Sequence, residues 1–154
     1  MLSDYNHYMI KTISNSINLR EVLTAKGLKP TYQRILILDH LCGKAKKHLT
    51  AERIYETLSK KTSTLSLTTV YNTLGSFLEA GLVSAITITG TEVRYELTTT
   101  PHHHLLCKRC GRIIDIDIQC PNVNRKSIKG YKVEEVHGYF KGICKSCLKK
   151  QSKQ

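Results

Sequence analysis

An α+β chain of two small domains, helical first and strand-rich after, is what this sequence predicts, on three observations. Apolar residues recur at helical spacing in four segments between residues 18 and 80, three of them opened by a capping hydroxyl: Thr31, Thr50 or Ser66. From Leu82 the period shortens. Residues 82–89 and 92–97 are rich in β-branched side chains and are separated by Gly90-Thr91, a hairpin signal. Beyond Pro101 stand two Cys-x-x-Cys pairs, Cys107/Cys110 and Cys144/Cys147, with His102-His103-His104 in front of the first. The organisation then reads as an arm or extra helix at 1–17, a first domain at 18–98, a hinge at 99–101 and a metal-binding α/β domain at 102–154.

The first helix spans about Asn18 to Lys26, with Leu19, Val22 and Leu23 on one side and Gly27 as its stop. Thr31 caps a second through Cys42, with Ile35, Leu36 and Leu38 inward and Gly43 at its end. Thr50 caps a third, Ala51 to about Lys60, whose apolar stripe is Ile54, Tyr55 and Leu58. Ser66 opens a fourth, Leu67 to Ala80, closed by Gly81. Short helices followed by a two-stranded wing make a winged helix-turn-helix. Past the hinge, 103–107 and 112–118 alternate like strands, 122–129 reads as a helix, 132–140 as a strand, and the tail from Cys144 as a short basic helix.

In a chain of 154 residues, each half has little room for a core and gains from a metal or a partner. The formal charge is +12, with basic residues in excess in both halves, which favours a polyanionic partner and nucleic acid first. No stretch approaches the roughly 20 apolar residues of a membrane span. The opening residues carry an early acid and no apolar run, unlike a secretory signal. A reducing cytoplasm, where thiols stay available to metal, is the expected location.

In a helix-turn-helix the second helix enters the major groove with its first turns toward base edges. Here that helix presents Thr68, Thr69, Tyr71 and Asn72, while Val70, Leu74, Phe77 and Leu78 hold it to the body. Tyr71 can bond a phosphate or pack on a thymine methyl, and Asn72 can read adenine. Arg34, Lys44, Lys46 and Lys47 are candidate phosphate contacts. Any one of these groups alone reads as a solvated face. Four polar groups in one run ahead of a β-wing point to double-stranded DNA.

A two-residue gap lets a tight turn aim both sulfurs of a pair inward, and two such pairs supply the tetrahedral shell of a structural Zn2+ site, one per chain. Thirty-three residues separate the pairs, so the site ties the domain's first strands to its last helix. Cys42 and Cys120 stand alone and read as core or exposed thiols. On a strand His102 and His104 share a face that His103 does not. Asp115 and Glu96 can close on the same point, and His48 can reach it from the first domain, although by itself His48 reads as a helix-start residue. Imidazole nitrogens with carboxylate oxygens suit Fe2+, Mn2+ or Zn2+, and an exchangeable ion there would couple the two halves.

The order of these motifs resembles the ferric uptake regulator (Fur) family of bacterial metalloregulators, from about Leu19 to Lys149. LKPTYQR (28–34), HLTAERIYETL (48–58), SLTTVYNTL (66–74), RYEL (94–97), HHHLLCKRCGRIID (102–115) and GICKSC (142–147) are similar to the family's motifs in sequence order. The resemblance implies that Cys107, Cys110, Cys144 and Cys147 hold structural zinc. It implies that His48, Glu96, His102, His104 and Asp115 hold a regulatory ion. It also implies a homodimer, joined through the second domain, that binds palindromic operators when that ion is present. Asp115 and Asn72 resemble the family's peroxide-sensing branch (PerR), whereas iron-uptake regulators usually carry Glu and more often Arg at those places. Glu96 departs from that branch, which usually has Asp. A further family site pairs a His before the His-x-His with a later one; Pro101 and Val136 occupy those places here, with His137 one residue off. Tyr32 stands where the family usually has Pro.

The expectation is a metal-dependent transcriptional repressor of the peroxide-sensing kind, holding Fe2+ or Mn2+ in its DNA-binding form. Oxidation of a ligand histidine, His48 or His102, would loosen the ion and release the operator. The rival within the family is an iron- or zinc-uptake regulator that follows metal supply. A metal-dependent hydrolase needs an open metal position and a positioned base. The carboxylates here are used as ligands and no His-Glu-x-x-His spacing occurs, so no enzyme is expected. A zinc-stapled protein-binding module would have no use for a winged helix.

Overall fold

Side-chain caps set where the helices of the first unit begin. In the computed structural model, which describes residues 18–43, 48–88, 90–98, 102–116, 118, 125–134, 136 and 138–151, the chain divides after Thr99 into two units. The arm at 1–17, the hinge at 99–101, Lys44, Lys46, Lys47, Cys120 and His137 lie outside the described residues. The first unit holds α1 (Leu19–Ala25), α2 (Tyr32–Cys42), α3 (Ala51–Leu58) and α4 (Leu67–Glu79). Thr31, Thr50 and Ser66 each accept the N–H three residues on, and Asn18 accepts from Arg20 while its amide donates to Glu21. Each such cap contributes about 1 kcal/mol. α1 and α4 stop alike: Gly27 and Gly81 take φ of 71° and 64°, and the next N–H reaches back to Leu23 or Phe77 at 2.9 and 2.8 Å.

The helices bury one core, in which Leu23, Ile54, Leu58, Val70, Leu74 and Phe77 are almost wholly enclosed. In α2 it is Ile37 and Leu41 that turn inward with Leu38, and the expected Ile35 and Leu36 are half-buried. Ile35-Leu36-Ile37-Leu38 is apolar all round, so periodicity does not choose its inner face. The wing follows: β1 (Val83–Ile86) pairs antiparallel with β2 (Arg94–Leu97), Val83 opposite Leu97. β2 also takes a bridge on its other side, where Leu49 and Tyr95 exchange backbone hydrogen bonds at 3.1 and 2.8 Å. The wing is thereby stapled to the segment that leads into α3.

In the second unit β3 (His103–Cys107) runs between β4 (Ile113–Ile116), antiparallel, and β7 (Tyr139–Gly142), parallel, and α5 (Lys145–Gln151) follows. Two sequence expectations fail here. Where a helix was expected at 122–129, the described part is instead β5 (Ser127–Ile128) turning into β6 (Tyr131–Lys132). Lys129 and Gly130 both take positive φ, 49° and 86°, the two-residue turn that suits a hairpin and breaks a helix. The strand expected over 132–140 pairs only at its two ends; residues 133, 134, 136 and 138 are irregular. Among the described residues no helix is long and apolar enough to cross a membrane.

Candidate metal centres and nucleic-acid face

The four-cysteine cluster is built by two tight turns. At the end of β3, the Gly111 N–H bonds the Cys107 carbonyl at 2.8 Å and Gly111 takes φ 69°, which folds Cys110 back over Cys107. At the start of α5, the Cys147 N–H bonds the Cys144 carbonyl at 2.9 Å. β3 and β7 lie side by side with Cys107 opposite Gly142, and this register brings the two turns together. The four sulfurs then lie within 4.8 Å of one another. Cys107, Cys144 and Cys147 are buried and Cys110 is exposed.

The cluster's electrostatics favour a bound cation. The Cys144 N–H points at the Cys107 sulfur from 3.3 Å and lowers that thiol to about 6. The Arg112 guanidinium holds Cys110 below the ordinary thiol range. Cys147 is pushed up to about 12 by its hydrogen bond to the Cys144 sulfur, with burial adding to it. Thiolates crowded this closely cannot all ionise unless a divalent ion sits among them. Four soft donors converging in a closed, mostly buried shell fit Zn2+.

The nitrogen and oxygen donors occur in both units. In the first unit His48 takes a left-handed backbone, φ 59°, just before α3, and its Nε2 lies 3.0 Å from Glu96 Oε2 on β2. Arg94 reinforces this corner: its Nη1 donates to the His48 carbonyl at 3.3 Å, while its Nε donates to Glu92 at 2.7 Å. In the second unit Asp115 stands opposite His104 in the β3–β4 register. Asp115 Oδ1 is 3.6 Å from His102 Nε2 and 3.9 Å from His104 Nε2, and the two imidazoles meet edge-on at 4.5 Å. His103 points to the other face, buried against Phe140 with ring centroids 6.0 Å apart. Imidazole and carboxylate pairs of this kind suit a borderline-hard divalent ion and differ in kind from the sulfur cluster.

On α4, Thr68, Tyr71 and Asn72 are exposed, and Thr69 is half-buried with its hydroxyl 2.8 Å from that of Ser66. The Tyr71 hydroxyl donates to Glu52 of α3, which raises the Tyr71 phenol and lowers the Glu52 carboxyl. Arg34 is already engaged, donating to the Lys29 carbonyl at 3.1 Å and to Ser76 on α4 at 3.4 Å. It therefore braces α2 against α4 as well as carrying charge. Sequence reasoning missed Glu52, Arg94 and Arg112. Only Arg112 had a signal, a cation immediately after the Cys-x-x-Cys-Gly turn. Cys42, half-buried, is pushed up to about 11 by burial and so is an inert thiol.

The sequence matches the Ferric uptake regulator family across residues 25–147. It is 34% identical over 137 residues to the peroxide operon regulator of Bacillus subtilis (strain 168), covering 86% of this chain and 92% of that protein. It is 32% identical over 133 residues to the peroxide-responsive repressor PerR of Staphylococcus aureus (strain Mu50), covering 83% and 88%. Among solved structures it is similar to the Vibrio cholerae ferric uptake regulator, with a TM-score of 0.69 at 30% identity, covering 82% of this chain and 100% of that one. It is similar also to the ferric uptake regulator from Pseudomonas aeruginosa with manganese, with a TM-score of 0.65 at 26% identity, covering 82% and 97%.

Proposed function

Since this chain belongs to the ferric uptake regulator family, we propose that it is a metal-dependent transcriptional repressor that senses peroxide, binding a palindromic operator as a homodimer. The observation that carries the peroxide reading is the likeness, over most of both chains, to relatives named for their response to peroxide. Cys107, Cys110, Cys144 and Cys147 hold structural zinc, one per subunit. His48 and Glu96 of the first unit, with His102, His104 and Asp115 of the second, are the ligand set for Fe2+ or Mn2+. Thr68, Thr69, Tyr71, Asn72 and Arg34 face the DNA.

Ligands drawn from both units make one arrangement of the units the metal-bound one, and differential affinity for that arrangement is all that metal control of DNA binding requires. Fe2+ held by these residues would supply the one-electron reduction of hydrogen peroxide that generates an oxidant of the ligand imidazoles. His48 and His102 would be the residues to take the oxygen, and a ligand so altered would hold its ion less well. Mn2+ supports DNA binding without that response.

The test is to load the protein with Fe2+ without air, add a small excess of hydrogen peroxide, and map oxygen insertion by peptide mass spectrometry alongside operator binding. Oxygen on His48 or His102 with operator release is expected. Intact histidines with operator still bound would instead favour a regulator of metal supply. Glu96 is the residue that supports that second reading, since the peroxide branch usually carries Asp there.

A further inference from the structure

We propose that Arg112 guards the zinc–thiolate cluster: its guanidinium straddles one sulfur from each Cys-x-x-Cys pair and slows attack by oxidants on the metal-bound thiolates. The proposal rests on the reading of Cys107, Cys110, Cys144 and Cys147 as a zinc site. Cys107, Cys144 and Cys147 are 0%, 5% and 8% exposed, so a reagent in solvent meets the cluster first at Cys110. That sulfur is the one Arg112 covers, with Nε at 3.3 Å, while Nη2 reaches Cys144 at 3.4 Å. The two bridged sulfurs are 3.8 Å apart and belong to different pairs. Arg112 is held in place by its own backbone, whose carbonyl accepts the Cys107 N–H at 2.9 Å.

Four thiolates around Zn2+ leave a net charge of about −2, and their lone pairs are what an electrophile attacks. A guanidinium is always protonated and offers a rigid fork of donors, so one side chain can hydrogen-bond two sulfurs at once. Hydrogen bonds from beyond the ligand shell tune a metal site's reactivity without altering its ligands. The unguarded reaction is a two-electron one. Two thiolates give one electron each and join in one S–S bond, and hydrogen peroxide with two protons leaves as two waters. The zinc thereby loses two of its ligands. A peroxide sensor benefits from keeping that reaction slow, because it would dismantle the fold before the histidine site had reported.

Zinc content of the full-length wild type comes first, with one ion per chain expected; a wild type without bound zinc overturns the site and the proposal together. Zinc release into a chromogenic chelator is then followed during hydrogen peroxide treatment. Arg112→Gln is expected to release about tenfold faster, with Arg112→Lys in between. Cobalt-substituted samples supply a second readout. A shift of the sulfur-to-metal charge-transfer band in Arg112→Gln reports the lost hydrogen bonds, which general loosening of the fold would not produce. Release at the wild-type rate in both variants overturns the guard while leaving the zinc site standing. If Arg112→Gln does not retain zinc, Arg112→Lys decides alone: faster release supports the proposal and equal release overturns it.

Discussion

His48 occupies a backbone conformation, φ 59°, that most side chains avoid and that histidine tolerates better than bulkier or branched residues. The Arg94 hydrogen bond to its carbonyl and the Leu49–Tyr95 bridge beside it hold that conformation, so a candidate ligand is fixed before any metal arrives. His103 shows the opposite case, a histidine used for packing. A Cβ added at Gly138 would stand 2.0 Å from His103 Nδ1 and 2.3 Å from Cε1, and the ring is buried. Gly138→Ala is therefore expected to destabilise the second unit by about 1–3 kcal/mol, read as a lowered midpoint in denaturant with the first unit's helices unaffected. Cys42 gives a chemical check at the same scale. With its thiol pushed up to about 11, only roughly one molecule in a thousand is thiolate at pH 8. Iodoacetamide at that pH should leave Cys42 unlabelled in the folded protein and label it fully in denaturant.

At the level of elements, α4 shows how local chemistry sets up the proposed DNA-binding face. Ser66 caps it through the Thr69 N–H at 3.0 Å and so fixes where the helix starts, which in turn decides that Thr68, Tyr71 and Asn72 face outward. Ser66→Ala should cost about 1 kcal/mol of stability. It should weaken operator binding in an anisotropy titration while metal content stays normal; unchanged affinity would mean that the cap does not position the contact face. Helix starts of this kind were legible in the sequence because a cap is a local signal, one hydroxyl and one N–H three residues apart. The cysteine pairs were legible for the same reason. The α2 inner face was not, because Ile35-Leu36-Ile37-Leu38 offers an apolar residue in every direction and only tertiary packing selects among them. Residues 122–129 misled because their spacing looked helical, and the Lys129-Gly130 turn outweighed it once Ser127 and Ile128 had partners across the hairpin. The Tyr71–Glu52 bond joins residues 19 apart and the Arg112–Cys144 contact joins residues 32 apart. No periodicity announces either, since each arises only when two elements pack.

Across the whole molecule the two units are stabilised by different chemistry. The first buries an apolar core drawn from all four helices and both wing strands. In the second, among the described residues, the buried core is Cys107, Cys144 and Cys147, with Leu105 and Ile114 against them. A core this small gives little hydrophobic stabilisation, and without a cation its four thiols cannot all ionise together. Metal binding must then supply what burial does not. Structural zinc in small domains contributes about 10–16 kcal/mol of apparent binding free energy at neutral pH, enough to decide whether such a unit folds at all. Removing it, by a strong chelator under reducing conditions or by Cys107→Ser, is expected to unfold the second unit, abolish the homodimer and leave the first unit's helices standing. Far-UV circular dichroism should keep most of its helical signal, and hydrogen exchange should show amides of β3, β4 and β7 losing protection while those of α3 and α4 keep theirs. Retained protection in β3 and β7 of the metal-free chain would mean that burial alone holds the second unit, and that the sulfur cluster serves something other than its folding.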